Sequence, residues 1–278
     1  MPAGGYFYDV VGHPLRDIYD ISELDDFDHL FEDYDHPSWM DLPWEDLEEY
    51  ARGLREGGKF LVGNYLGHIL QAGQILRGWN QFVLALALTP VLAEAIINRL
   101  TEGHMRAFER YAETVGQHVD VIEVADDLGM QDGLWMSPEM YRKNVKPYHA
   151  KLYGFIKEKC DALLFIHSGG SLYPIIPDLI KIGVDIINPV QFTAKDMDLA
   201  KLKKDFGDDL CFWGGGINPQ HTLPRGTIEE VVDEVKRNLD IMAPGGGFVF
   251  GTVHNVTEEV PAENVIPAFR TASDYGQY

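Results

Sequence analysis

The sequence predicts an α/β protein built on a parallel sheet. Six short apolar runs recur, near residues 60–64, 119–124, 162–166, 184–187, 210–213 and 247–250, and each precedes a stretch with helical spacing. The runs are apolar throughout rather than alternating, as in strands covered on both faces. Each gives way to polar or glycine-rich residues. Strand–helix alternation of this kind builds a parallel sheet.

The elements follow in order. Residues 1–45 are rich in aromatics, Asp and Pro without clear periodicity, and predict irregular structure with one short acidic helical turn. Trp44, Leu47 and Leu54 keep helical spacing, and Gly57-Gly58 ends that helix. After strand 60–64, residues 68–87 read as helix with a break near Gly78. Pro90 opens a long helix, 90–115. Strand 119–124 leads to Asp126-Asp127. Ser137-Pro138 then starts a helix of about 20 residues, Ser as cap and Pro in the first turn. Strand 162–166, a helix over 173–181 closed by Gly183, strand 184–187 and a helix over 198–206 come next. Strand 210–213 is followed by a helix over 227–242, where Thr227 and Glu230 form a capping box. Strand 247–250 and a helix over about 261–272 complete the pattern.

The chain has 278 residues, 45% of them hydrophobic, which suits one barrel-sized domain. With no internal repeat or linker, residues 1–278 read as a single domain, of which 1–57 form an acidic flank. No window of about 18 apolar residues predicts a membrane span. The amino terminus lacks a basic region followed by an apolar core, so it does not read as a secretory signal. Cys160 and Cys211, the two cysteines, suggest a reducing compartment, the cytoplasm. A net charge of −21 argues against nucleic acid, whose binding needs clustered Lys and Arg. The acidity concentrates in residues 17–56: a solvated flank, or a docking face for a basic partner.

Chemistry is expected where strands end. Ile166-His167-Ser168-Gly169-Gly170 follows one strand, and Thr252-Val253-His254 follows another. In a parallel barrel those carboxyl ends share one face. Neutral imidazole is a common metal ligand, so His167 and His254 are candidate ligands of one metal site. The plainer reading makes both ordinary loop residues. Glu123, Asp126 and Asp127 stand at another strand end, either as helix caps or as ligand and general base; Glu123 and Asp127 join His167 as catalytic candidates. Asn188, Gln191, Asn218 and Gln131 offer donors and acceptors to a polar substrate; loop closure against backbone is the alternative. Gly214-Gly215-Gly216 permits close approach of a ligand to backbone.

Several segments carry a family resemblance: Asp126-Asp127-Leu128-Gly129-Met130-Gln131; Met136-Ser137-Pro138-Glu139; Pro147-Tyr148-His149; the His167 segment; Gly183-Val184-Asp185-Ile186-Ile187-Asn188-Pro189-Val190-Gln191; Phe212-Trp213-Gly214-Gly215-Gly216-Ile217-Asn218; and Val253-His254-Asn255-Val256. In order and spacing over about 58–278, they resemble the uroporphyrinogen decarboxylase superfamily, and most of all its branch of cobalamin-dependent methyltransferases. The resemblance implies a TIM-type (β/α)8 barrel with the site at the strand carboxyl ends. It also implies zinc, and a corrinoid carried on a partner protein. Family members have a longer amino-terminal part that includes a first barrel strand. Here either an unusual amino-terminal region completes the barrel, or another polypeptide does; a homodimer is the other partner expected. Methyltransferases of the branch use His-x-Cys at the position of 167–169, whereas this chain has Gly169 in place of Cys.

The expected function is therefore transfer of a methyl group from a small O-, N- or S-methyl donor to a corrinoid protein. The first alternative is decarboxylation of a tetrapyrrole. That substrate needs several inward Arg or Lys residues, for which Arg77, Arg142 and Arg225 are the candidates. The second is a non-catalytic subunit of a methyltransferase complex.

Overall fold

The computed structural model describes residues 10–27 and 44–276. The short acidic turn is the 3-10 helix Ile21–Phe27; the rest of the amino-terminal flank, 1–9 and 28–43, lies outside the described residues. Six strands form one parallel sheet in chain order: β1 (Val62–Leu66), β2 (Val121–Ala125), β5 (Leu163–His167), β6 (Ile186–Asn188), β7 (Cys211–Trp213) and β8 (Phe248–Val249). Between β2 and β5 a two-stranded antiparallel ribbon, β3 (Gly129–Met130) and β4 (Gly133–Leu134), stands apart. This is the α/β architecture of a TIM-type fold.

The strands lie one or two residues from their predicted starts. In β1 the ladder begins at Val62, paired with Val121. Leu61 precedes it because its N–H donates to the Asp120 carboxylate at 2.8 Å. The sequence does not predict the ribbon, whose two-residue turn is Gln131-Asp132 and carries no Asn-Gly or Asp-Gly pair. Gly78, at φ +90°, separates the helices Leu70–Arg77 and Trp79–Leu88 as expected. The predicted 20-residue helix after Ser137 is two helices, Pro138–Asn144 and Lys146–Lys159, with Val145 between them. Pro147 has no N–H and its ring crowds the preceding turn, so one continuous helix is broken there.

The described residues divide into two compact units. The first holds the described residues up to Asp127, with Met136–Phe165 and Pro177–Val184. Its core includes Phe82, Ile96, Ile97, Phe108, Leu152 and Tyr153, all almost fully buried. Burial of each such side chain contributes about 1.5–3 kcal/mol. The second holds Leu128–Trp135, Ile166–Ile176 and the described residues from Asp185 onward. There the helices Ile228–Met242 and Ala262–Tyr275 pack through Val231, Val235, Leu239 and Ala268 with Ile217 and Leu223. Thr227 and Glu230 close the predicted capping box.

Among the described residues, no single helix is long and apolar enough to cross a membrane.

Candidate functional site

In the second unit the ends of β5, β6 and β7 carry a connected polar network. His167 ends β5 and is half-buried. Its Nδ1 lies 2.7 Å from Oδ1 of Asn188, which ends β6. The Asn188 amide Nδ2 donates to the carbonyl of Trp213, at the end of β7, at 3.0 Å. The Ser168 N–H donates to the Asn188 carbonyl at 2.7 Å. The peptide after Asn188 is cis.

Three glutamines extend the network. Gln191 Oε1 accepts from the Gly170 N–H at 2.9 Å, and its Nε2 donates to Gln131 Oε1 at 2.9 Å. Gln131 in turn donates to the Thr193 carbonyl, and Gln220 Nε2 donates to Gln131 Oε1 at 3.3 Å. The ribbon is held to the loop after β5 from both sides. Leu128 N–H donates to Ser168 Oγ, and Ser171 N–H donates to the Met130 carbonyl, each at 3.0 Å. The predicted His167, Asn188, Gln191 and Gln131 are thus brought into two linked clusters.

Gly170 makes this packing possible. It adopts φ +81°, and a Cβ built on it would lie 2.3 Å from the carbonyl carbon of Gly129 and 2.5 Å from the Met130 nitrogen, both backbone atoms. Gly170→Ala is expected to cost at least about 2 kcal/mol, from left-handed backbone strain and displacement of the ribbon. Urea unfolding of the purified variant checks this; a midpoint equal to that of the parent would mean that the ribbon yields freely.

Other predicted residues take different roles. Asn218 Oδ1 accepts from the N–H groups of Gln220 and His221 at 2.9 and 3.0 Å, and its own N–H donates to Glu234. It shapes the turn that brings Gln220 to Gln131. His254 is exposed beyond β8, and its carbonyl accepts from Thr252 Oγ1 at 2.7 Å. Glu123 is half-buried within β2, opposite Asn64 of β1. Asp127 is half-buried just past the end of β2.

Catalytic zinc sites use three protein ligands. Among the described residues, no three His, Cys, Asp or Glu side chains gather in a group that could hold a metal. Burial pushes the Cys160 thiol up to about 11 and raises that of Cys211 as well, so neither offers a ready thiolate. The donor set of the described residues therefore does not fit zinc.

In the first unit, Asp126 is fully buried. It accepts from the N–H groups of Ile69, Leu70 and Gln71 at 3.0, 2.9 and 2.7 Å. His149 Nε2 donates to it at 3.0 Å, and the Tyr141 hydroxyl lies 3.3 Å from His149 Nδ1. Burial alone would raise the Asp126 pKa. The hydrogen bond and field of His149, with His68 and the Gln71 N–H, outweigh it and hold the carboxyl below the usual range. Asp126 is a cap, as one reading of the acidic trio had it, but of the preceding helix Leu70–Arg77 rather than the next one. His149 had no role in the sequence reading. Its one signal was its place among Val145, Leu152, Tyr153 and Ile156 on a buried helix face. His104 in the same unit donates from Nε2 to the His68 carbonyl at 2.8 Å, and burial pushes its pKa down to about 4.

Parallel strands with helices between them, and polar side chains gathered at strand carboxyl ends, define an α/β protein of the TIM-type class with its candidate site where that class places it. The comparisons name the family. Residues 48–275 match the model of uroporphyrinogen decarboxylase (URO-D), and the chain belongs to that family. The uroporphyrinogen decarboxylase of Geobacter sulfurreducens is 25% identical over 195 residues, covering 70% of this chain and 52% of that one. That of Trichlorobacter lovleyi is 24% identical over 193 residues, covering 69% and 52%. The chain spans about half the length of the curated relatives it matches. Among solved structures, a methyltransferase from Methanosarcina mazei superposes with a TM-score of 0.63 at 20% identity, covering 83% of this chain and 64% of that one. That likeness is one of fold.

Proposed function

We propose that the protein transfers a methyl group from a small methylated compound to a corrinoid carried on a partner protein. The observation that carries this reading is the chemistry of the strand-end network, which is an imidazole and neutral amides: His167, Asn188, Gln191, Gln131 and Gln220. Such a set suits a small polar donor. A tetrapyrrole bearing many carboxylates calls for several charge-assisted partners. Of the three cationic candidates, Arg77 is buried and donates to the carbonyls of Leu15 and Ile18, and Arg142 pairs with Asp178 at 2.8 Å. Arg225 is exposed on the short helix Thr222–Arg225. The methyltransferase from Methanosarcina mazei shares the fold and lends the reading further, weaker support.

The corrinoid would supply the nucleophile that receives the methyl group. The residues of this chain then bind and orient the donor. Amide edges of Gln131 and Gln191 fix its polar end, and His167 meets a hydroxyl, thiol or amine N–H beside its methyl-bearing atom. Gly214 and Gly215, at φ +91° and +83°, pack directly against the backbone carbonyls of Thr252 and Val190.

Decarboxylation of a tetrapyrrole stands as the second reading, favoured by the curated relatives, which are uroporphyrinogen decarboxylases. One assay separates the two. Reduced corrinoid protein is supplied with methoxy-aromatic, methylamine, methyl halide and methyl thioether donors while the cobalt spectrum is followed; uroporphyrinogen is supplied in parallel and carbon dioxide release is measured. The expected result is a donor-dependent change in the cobalt spectrum and no carbon dioxide. The opposite pattern would reverse the order of the two readings. Silence in both arms would leave the non-catalytic subunit as the surviving alternative.

A further inference from the structure

We propose that Asn188 is a positioning residue that holds His167 as its Nδ1–H tautomer and so presents a proton-accepting Nε2 to whatever occupies the site. The capacity of each atom to donate or accept fixes the tautomer. The Trp213 carbonyl oxygen accepts hydrogen bonds and never donates them. The end of the Asn188 amide that lies 3.0 Å from it is therefore the NH2 end. The other end, Oδ1, is then the one 2.7 Å from His167 Nδ1. An amide oxygen has no hydrogen to give, so Nδ1 must carry the proton of that bond. A neutral imidazole carries one ring hydrogen, which leaves Nε2 with its lone pair.

The amide cannot easily turn over. Its backbone is tied to the loop after β5, since the Asn188 carbonyl accepts from Ser168 N–H at 2.7 Å. A flipped amide would set oxygen against the Trp213 carbonyl and NH2 against the ring. The ring would then have to take its other tautomer, and the Trp213 carbonyl would lose its donor. Neighbouring contacts brace the same geometry, with Gln191 Oε1 on the Gly170 N–H three residues from His167.

The consequence concerns substrate. A bare Nε2 accepts a hydrogen bond or takes a proton; in the neutral ring it has none to donate. The group placed against it must bring its own donor: a hydroxyl, a thiol or an amine N–H. On the methyl-transfer reading, on which this consequence rests, the favoured donors are methylated compounds with such a group beside the methyl-bearing atom. A methyl halide has none.

The test is a nuclear magnetic resonance measurement on the full chain, labelled with nitrogen-15 at histidine, in alkaline buffer where the rings are neutral. Long-range proton–nitrogen correlations report which ring nitrogen is protonated. His167→Gln identifies the His167 signals among those of the 10 histidines. The expected result is one tautomer at His167, protonated at Nδ1. Asn188→Asp keeps an acceptor against Nδ1 and should retain that tautomer, whereas Asn188→Leu removes the acceptor and should mix the two. A parent protein protonated at Nε2 would overturn the proposal, as would an Asn188→Leu variant that remains entirely in the Nδ1–H form. Should that variant fail to fold, the spectrum of the parent decides alone. A protein that shows the Nδ1–H tautomer and methylates no cobalt would sink the functional reading and leave the tautomer assignment standing.

Discussion

Asp126→Ala is expected to lower the unfolding free energy by about 4 kcal/mol, from leaving several buried hydrogen-bond donors without their acceptor. The helix Leu70–Arg77 has no local side-chain cap at Ile69. The carboxylate of Asp126, fifty-six residues beyond Leu70, satisfies the first N–H groups instead. Alanine would leave three backbone donors and His149 Nε2 buried and unpaired, and each unmet group costs roughly 1–3 kcal/mol. Relaxation and water entry recover part of that sum. Asn keeps the shape but turns an NH2 toward donors, so Asp126→Asn should lose about half as much. The effect depends on pH in a stated direction. The folded-state carboxyl is held below its ordinary range, so its contribution is fully present above the unfolded value of about 3.9. It is lost as pH falls through the lower, folded value. Urea unfolding of parent and Asp126→Ala should show the full difference near neutrality and a smaller one in acid. A loss under about 1 kcal/mol at neutral pH would mean that the helix start finds other partners, and the cap would lose its assigned importance.

His167→Ala is expected to reduce methyl transfer by roughly 10²–10⁴-fold, the range for removing a positioned acid–base side chain. The same substitution should cost little stability. His167 is half-buried, and its side chain makes one described hydrogen bond, to Asn188, worth about 1 kcal/mol. The two measurements together isolate the role. Turnover on the donor that responds in the cobalt assay should collapse while the urea midpoint moves slightly. If turnover survives, the histidine serves the loop and not the reaction. If stability and turnover fall together, the variant has lost the loop as well, and His167→Gln, which keeps hydrogen-bonding capacity, becomes the comparison that separates the two.

What the sequence determined by itself is the alternation. Continuous apolar runs, the glycines at 78 and 183, Pro90 and the Thr227–Glu230 box are local signals, and local signals specify strands, helices and their ends because propensity and capping act over a few residues. The same locality explains the misses. Pro147 divides a helix whose apolar spacing runs on across it, and Gln131-Asp132 turns a ribbon that has too few residues on each side to show a period. His167, Asn188, Gln191 and Gln131 were legible as strand-end polar residues, since parallel strands deliver their carboxyl ends to one edge. Which of them touch was decided only by tertiary structure. Asn188 meets His167 across 21 positions, Gln191 meets Gln131 across 60, and Asp126 meets His149 across 23. Asp126 and Asp127 are adjacent and chemically alike, and no feature of their spacing distinguishes the buried cap from its half-buried neighbour. Strand pleating sends successive side chains to opposite faces, and the helix start at Leu70 happens to lie on the side that Asp126 takes. Burial, and with it the protonation each group favours, comes from that choice of side.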